Sequence, residues 1–265
     1  MRKQNDLIWA IILIAVGSVL LLDQVLHVNL WKLLWPLFLI GLGLYVLWSA
    51  SRTQTAPQGE AASIPLEGLT QARVSIHHGA GRLDLGRGDD PDALLTGVFM
   101  GGLDVRRRDR GGVAGFDLKP SERGSAVALF PHLWRRGLDW QLRLNPEVSY
   151  ALEVESGLTS SALDLETLTV TEFALKTGLS SCAVTLPAMG VVRAQVESGL
   201  GAVELRLPEG VAASIRVEVG LGSASVDEAR FPRVGENAYR SPEYDYAVNR
   251  VELAIKTGLG SVTVK

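Results

Sequence analysis

From residue 66 onward, short runs of alternating apolar and polar residues are punctuated by glycine, and one run keeps returning. It reads VESGLTSSALDL (154–165), LKTGLSSCAVTL (175–186), VESGLGAVELRL (196–207) and VEVGLGSASVDE (217–228), so Gly157, Gly178, Gly199 and Gly220 stand 21 residues apart. IKTGLGSVTVK (255–265), around Gly258, is a fifth copy, and IHHGAGRLDLG (76–86), around Gly79, is a degenerate earlier one. Three residues before the glycine stand Val154, Leu175, Val196, Val217 and Ile255; two further back stand Leu152, Phe173, Ala194, Ile215 and Leu253. These are every-other positions, which puts them on one inward face of a strand. The position between them and the glycine is Glu155, Lys176, Glu197, Glu218 and Lys256. If the copies stack in register, Glu155 lies over Lys176 and Lys176 over Glu197, so opposite charges neighbour one another on the solvent face. A leucine follows each glycine (Leu158, Leu179, Leu200, Leu221, Leu259) and is expected to plug the corner. A second strand then points Leu163/Leu165, Val184/Leu186, Leu205/Leu207 and Val226 inward.

A constant period with constant inward columns is what a solenoid requires, because each rung buries its apolar face only against its neighbours. Two strands and two turns per 21 residues suit a β-helix rung better than a four-stranded propeller blade. A β-sandwich also has short strands and frequent turns, but the fixed spacing argues against it. The stretch 87–145 is less regular. Strands are expected near 94–99, 103–107, 113–118 and 139–144, forming a wider, antiparallel start of the sheet that caps the stack.

The first 50 residues follow another pattern. Leu7 to Leu22 and Leu33 to Trp48 are each sixteen residues without a charge. A bilayer span takes about 20 apolar residues. Trp31, Lys32, Tyr45 and Trp48 extend the runs to headgroup level, and Asp23-Gln24 ends the first, since charge at the bilayer centre is costly. Gly17, Gly41 and Gly43 allow close helix approach. Arg2 and Lys3 before an apolar run also fit a signal peptide, but no small-x-small site follows Leu22 and a second run arrives instead. The expectation is a transmembrane helical hairpin over 1–50, with spans about 7–22 and 30–48. A flexible, small and polar linker follows over 51–65, and then a repeat domain over 66–265. Arg2, Lys3 and Arg52 against Lys32 in the connection place both ends in the cytoplasm by the positive-inside rule.

Composition adds mainly exclusions. The net charge of −3 lacks the basic excess of a nucleic-acid binder. A single cysteine, Cys182, excludes an intrachain disulfide framework; its column (Ser161, Val203, Val262) makes it a buried small residue. Adjacent His77 and His78 face opposite sides of a strand and cannot share an ion, and Asp89-Asp90-Pro91-Asp92 reads as a polar turn rather than a calcium loop. The Gly199-Leu200-Gly201 type of pair recurs in every rung with no helix after it, so it fails as a dinucleotide loop. No nucleophile has a base at consistent spacing. A glycan hydrolase would need a paired acidic cleft, and none stands out. No catalytic, cofactor or metal site is expected. The basic clusters, Arg106-Arg107-Arg108 and Trp134-Arg135-Arg136, are candidates for contact with an anionic membrane surface or a partner.

The segments DWQLRLNPEVSYALEVESGLTSSALDLETLTV and FALKTGLSSCAVTLP resemble the toast-rack β-repeat domain. ARFPRVGENAYRSPEYDYAVNRVELAIKTGLGSVTV resembles the closing segment of LiaF-type proteins, and WPLFLIGLGLYVL the LiaI/LiaF-like transmembrane region. The expected fold is therefore an all-β soluble domain, a single-sheet toast-rack-like β-solenoid stack of about 21-residue rungs, behind an α-helical transmembrane hairpin. The resemblance implies cell-envelope stress sensing with a membrane sensor kinase as partner, although the known regulators commonly have more membrane helices than two. The expectation for function is a non-catalytic protein that presents its solenoid to a protein partner. The alternative is an adhesin-like or self-assembling scaffold at the cell envelope, for which homo-oligomers are admissible.

Overall fold

The computed structural model describes residues 59–109, 112–121 and 139–265, together with Pro36, Ile40 and Gly41. The chain divides into two compact units, Met1–Thr55 and Ala56–Lys265. In the first, the three described residues are helical. The expected spans 7–22 and 30–48 otherwise lie outside the described residues, and among the described residues no helix is long and apolar enough to cross a membrane.

The second unit is a single sheet. Its long strands are β2 (Gln71–Arg87), β7 (Ser149–Asp164), β8 (Thr169–Thr185), β9 (Val191–Arg206), β10 (Ala212–Val226) and β12 (Arg250–Val264). They pair in parallel, in register. A straight strand of β7's 16 residues would be about 53 Å long. Yet Asp164 is joined to Thr169 by a connection that spans at most about 18 Å, and Thr169 lies beside Ser149. Each strand must therefore fold back on itself, and it does so at the glycine. Ser156 is buried, Gly157 and Leu158 are both exposed, and Thr159 is buried again. Two successive outward residues mark a corner that divides every rung into two arms. The inward residues of both arms, Phe173 and Leu175 on one and Cys182 and Val184 on the other, join one core. Leu165, Leu168, Leu186 and Leu207 close it at the turns between rungs. A bulge at Thr171, whose hydroxyl donates to Tyr150 O at 3.3 Å, offsets a connection one residue shorter than that between β8 and β9. The 21-residue period is thereby kept.

The stacking order departs from the chain order at one place. The rungs run β2, β7, β8, β9, β12, β10, so the last strand inserts between β9 and β10. The outward column explains this arrangement. In chain order Glu197 would lie beside Glu218, and like charges directly abreast are unfavourable. With β12 inserted the column reads His77, Glu155, Lys176, Glu197, Lys256, Glu218, and the signs alternate from Glu155 to Glu218. Lys176 Nζ sits 3.5 Å from Glu155 and 3.4 Å from Glu153; Lys256 is 3.5 Å from Glu218. The two Glu153 and Glu155 carboxylates raise the Lys176 ammonium pKa above its ordinary value.

The glycine columns follow the same order. A Cβ on Gly178, Gly199, Gly258 or Gly220 would come within 3.0, 2.7, 2.8 and 2.8 Å of the glycine carbonyl oxygen in the rung before it. The backbone there is not left-handed, so space, rather than the positive φ that corner glycines are usually credited with, imposes the residue. The second glycine of the corner is held by both constraints. Gly201 has φ +141°, and a Cβ on it would overlap the Ser180 carbonyl oxygen.

Both ends of the stack are built from irregular segments. β3 (Ala93–Met100), β4 (Leu103–Arg107), β5 (Ala114–Pro120) and β6 (Trp140–Leu144) lie close to the strands expected in 87–145. β5 pairs in parallel with the first arm of β2 and β6 with its second, so together they form one divided rung. β3 and β4 then add antiparallel. Trp140 packs edge-on to Phe99 at 5.1 Å and donates to Met100 O at 3.3 Å, and buried Tyr150 donates to Leu94 O at 2.9 Å. Asp89–Asp92 is a turn, with Asp90 Oδ1 accepting from Asp92 N at 3.0 Å. Residues 59–65, expected at the end of the linker, instead form strand β1 (Gly59–Pro65) antiparallel to β3. Partly buried Ala62 and Ile64, packed on the core, draw the segment into the sheet. At the far end, β11 (Ala238–Arg240) pairs with β10.

Two predictions test this order. Cysteines at 197 and 256 stand on adjacent strands, about 4.8 Å apart, whereas those at 197 and 218 are about 9.6 Å apart, beyond disulfide reach. Oxidation of Glu197→Cys/Lys256→Cys gives a disulfide on a non-reducing gel, and Glu197→Cys/Glu218→Cys does not. Gly201→Ala lowers stability by about 3 kcal/mol or more in urea titration. Gly190→Ala, at φ +90° but with open space around it, costs about 1–2 kcal/mol.

Candidate functional site

The corners align across the stack, and alongside them runs a groove of about 1110 Å³. Its floor is the first glycine column and its flank is the alternating charge column, with Pro120 and Asn237 at its two ends. Six rungs make it about 24 Å long. Its inner lining includes Ser156, Thr177, Ser198 and Thr257, whose buried hydroxyls have no hydrogen-bond partner among the described residues.

Next to the groove stand the corner leucines. They do not plug the corner. Leu158, Leu179, Leu200, Leu259 and Leu221 are 39, 52, 45, 47 and 71% exposed, and they align rung upon rung. The reason lies inside the corner. The space that a Cβ on Gly201, Gly260 or Gly222 would need is taken by the neighbouring rung's backbone, which leaves room only for small residues. The larger side chain is turned out into an apolar ridge bordered by charges.

At the β2 end the charge column gains a second neighbour. His77 Nδ1 lies 2.9 Å from Glu155 and its Nε2 lies 3.0 Å from Asp117 of β5. Asp117 is largely buried and also meets Lys119 at 3.2 Å and Arg108 at 3.7 Å. Sequence reading passed over Asp117, because β5 lies outside the repeat and carries no periodic signal.

Of the six candidate contact residues, Trp134, Arg135 and Arg136 lie outside the described residues. Arg106, Arg107 and Arg108 are exposed, and each has an acidic partner. Arg106 pairs with Asp104 at 3.3 Å, Arg107 with Glu67 at 2.6 Å and Asp109 at 3.1 Å, and Arg108 with Asp117. The hydrogen bonds to Glu67 and Asp109 raise the Arg107 pKa above its ordinary value. Cys182 is buried in its expected column, and burial pushes its thiol up to about 12, far from a nucleophile's range.

In-register rungs and a glycine corner define a class, the β-solenoids. Residues 53–206 match the family described as the N-terminal domain of toast_rack, DUF2154, and the chain belongs to that family. Residues 7–47 match the LiaI-LiaF-like transmembrane region. The chain is thus a LiaF-like toast-rack membrane protein. Among solved structures, a candidate cell adhesion protein from Clostridium sporogenes is similar at TM-score 0.63 and 18% identity, over 79% of this chain and 99% of that one. A candidate adhesin from Bacteroides fragilis aligns at TM-score 0.30 and 8% identity, over 78% and 96%. No curated protein matches the chain.

Because Arg106–Arg108 are already matched by carboxylates, changing all three to Ser in a 51–265 fragment leaves co-sedimentation with anionic liposomes unchanged. A clear loss of binding would instead assign this strand to the membrane surface.

Proposed function

We propose that this protein is non-catalytic and presents the leucine ridge and its charged groove to another membrane protein, as a regulator that responds to the state of the cell envelope. The observation that carries this reading is the ridge itself. Five leucines turned to solvent in a line form a contiguous apolar stripe, and such stripes rimmed by polar residues mark interaction surfaces. The alternating charges beside it supply register and orientation more than affinity. The LiaI-LiaF-like segment supports a partner held in the same bilayer, and the family resemblance supports a sensor kinase. The charges flanking the two apolar runs support a two-pass arrangement with the N-terminus and the solenoid in the cytoplasm.

A second reading is an adhesin-like scaffold outside the cell. It is favoured by the fold shared with the candidate cell adhesion protein, a likeness that by itself speaks only of architecture. The side of the membrane separates the two.

The test uses the full chain in its native membrane. A photo-crosslinking residue at Leu179 or Leu200 captures one and the same membrane protein, and at Ser181, exposed on the other arm, it does not. A reporter fused after Lys265 is active on the cytoplasmic side. Equal capture from all three positions would remove the ridge as the contact surface. An external C-terminus would favour the scaffold.

A further inference from the structure

We infer that the free edge at the end of the stack, the second arm of β10 from Leu221 to Val226, is a docking site for one extended peptide strand of a partner, uncharged in its centre and basic at its ends. This rests on a different surface from the ridge.

The terminal cap covers only half of the last rung. On the first arm of β10, Ser214–Arg216 pair with β11. Val217 N donates to Asn237 O at 2.9 Å, and Ala213 exchanges hydrogen bonds with Ser241 at 2.8 and 2.9 Å. On the second arm, β12 is the only strand paired with Leu221–Val226 among the described residues. Asp227 N donates to Val264 O at 3.0 Å. In a parallel ladder, successive residues bond to opposite sides, so the N–H and C=O groups of Gly222, Ala224 and Val226 point away from β12, to the open side. Ala224 belongs to the inward column of Cys182, Val203 and Val262, which are buried, yet it is itself exposed.

Sheet edges are ordinarily blunted by charge or proline. The edges at the other end conform: β1 carries Glu60 and Pro65, and β4 carries Asp104, Arg106 and Arg107. Leu221–Val226, LGSASV, has neither charge nor proline. It meets the description of an edge open to strand addition, where main-chain bonds supply affinity and alternate side chains supply specificity.

Two features choose the occupant. The cap on the first arm is two strands deep, because β11 is itself covered by residues 232–235 through Val234 N to Ala238 O at 2.9 Å and Arg240 N to Pro232 O at 3.0 Å. It therefore projects about 10 Å beyond the free arm, and a second folded copy brought up to this edge meets the cap first, whereas one strand fits beside the step. The segment is also flanked by Asp227 and Glu228 on one side and on the other by Glu218, shared with Lys256 at 3.5 Å, with no basic side chain in Val219–Ala229. Basic ends on the incoming strand complement those acids.

The probe is a fluorescein-labelled peptide with the sequence of Leu259–Lys265 preceded by one lysine, since β12 already shows that this pattern fits β10. Anisotropy is titrated with the full-length chain in detergent micelles. Saturable binding is expected, at least tenfold weaker for Ala224→Pro, which removes an outward N–H not used within the fold, and unchanged for Ala224→Ser. N-methylation of the peptide on one set of alternate amides abolishes binding and on the other set does not, a readout that does not depend on how the proline variant folds. Absence of saturable binding overturns the proposal, as does equal binding of the two N-methylated peptides. A concentration-dependent dimer of the chain that Ala224→Pro abolishes also overturns it, in favour of a second copy.

Discussion

The structure depends on parallel strands stacking in register. When residue i of one rung lies over its counterpart in the next, every column must be compatible with itself at about 4.8 Å. That condition sorts the sequence. An aliphatic column satisfies it by burial, and a glycine column by letting a carbonyl approach where a Cβ would collide. A charged column satisfies it only by alternating. The periodicity is therefore a consequence of contact geometry as well as of repetition in the chain. The rungs that lack a second corner glycine show the same rule at work, because Thr159 and Ser180 occupy that position without a left-handed backbone.

Alternation also accounts for the least expected feature, the insertion of β12. On the second arm the order keeps Val262 and Val264 buried and leaves the smaller Ala224 exposed at the end; the first-arm aliphatic column is indifferent to order, since Ile255 and Val217 could exchange places at little cost. The outward column is not, because Glu197 and Glu218 are both acidic and Lys256 is the one base left to separate them. A surface ion pair is worth little, so this column does not hold the fold together. It acts in the same direction as the core, setting opposite charges abreast where chain order would set like charges. The 227–249 excursion makes the inserted order reachable by carrying the chain around the outer face of β10 before it returns.

The inward columns, the corner positions, the charge alternation from Glu155 to Glu197 and the four strands within 87–145 were legible from the sequence, because burial at alternate positions writes itself into it. Besides the insertion of β12, three features were not. Leucine after glycine reads as core by its hydrophobicity, and only the crowding inside the corner shows that it must face out. β1 reads as linker because GEAASIP has few large apolar residues; it becomes a strand through pairing with β3, a partner 30 residues away that no local pattern announces. Asp117 belongs to no period, and its importance arises from where β5 sets it, between His77, Lys119 and Arg108.

A stacked coil has an architectural consequence for function. Each rung contributes the same few outward groups, so any surface feature is repeated into a line and becomes a linear motif about 24 Å long. Along the stack a column averages its members, so single residues are not set apart. Sites that depend on extended complementarity fit such a surface well. The two places where the averaging fails are the ends. At one end β4 and β5 introduce a cluster of paired charges, and at the other the cap leaves half a rung open. The ridge and groove thus offer a repeating chemistry along the whole rack, while at the ends the columns stop and individual residues regain their own surroundings.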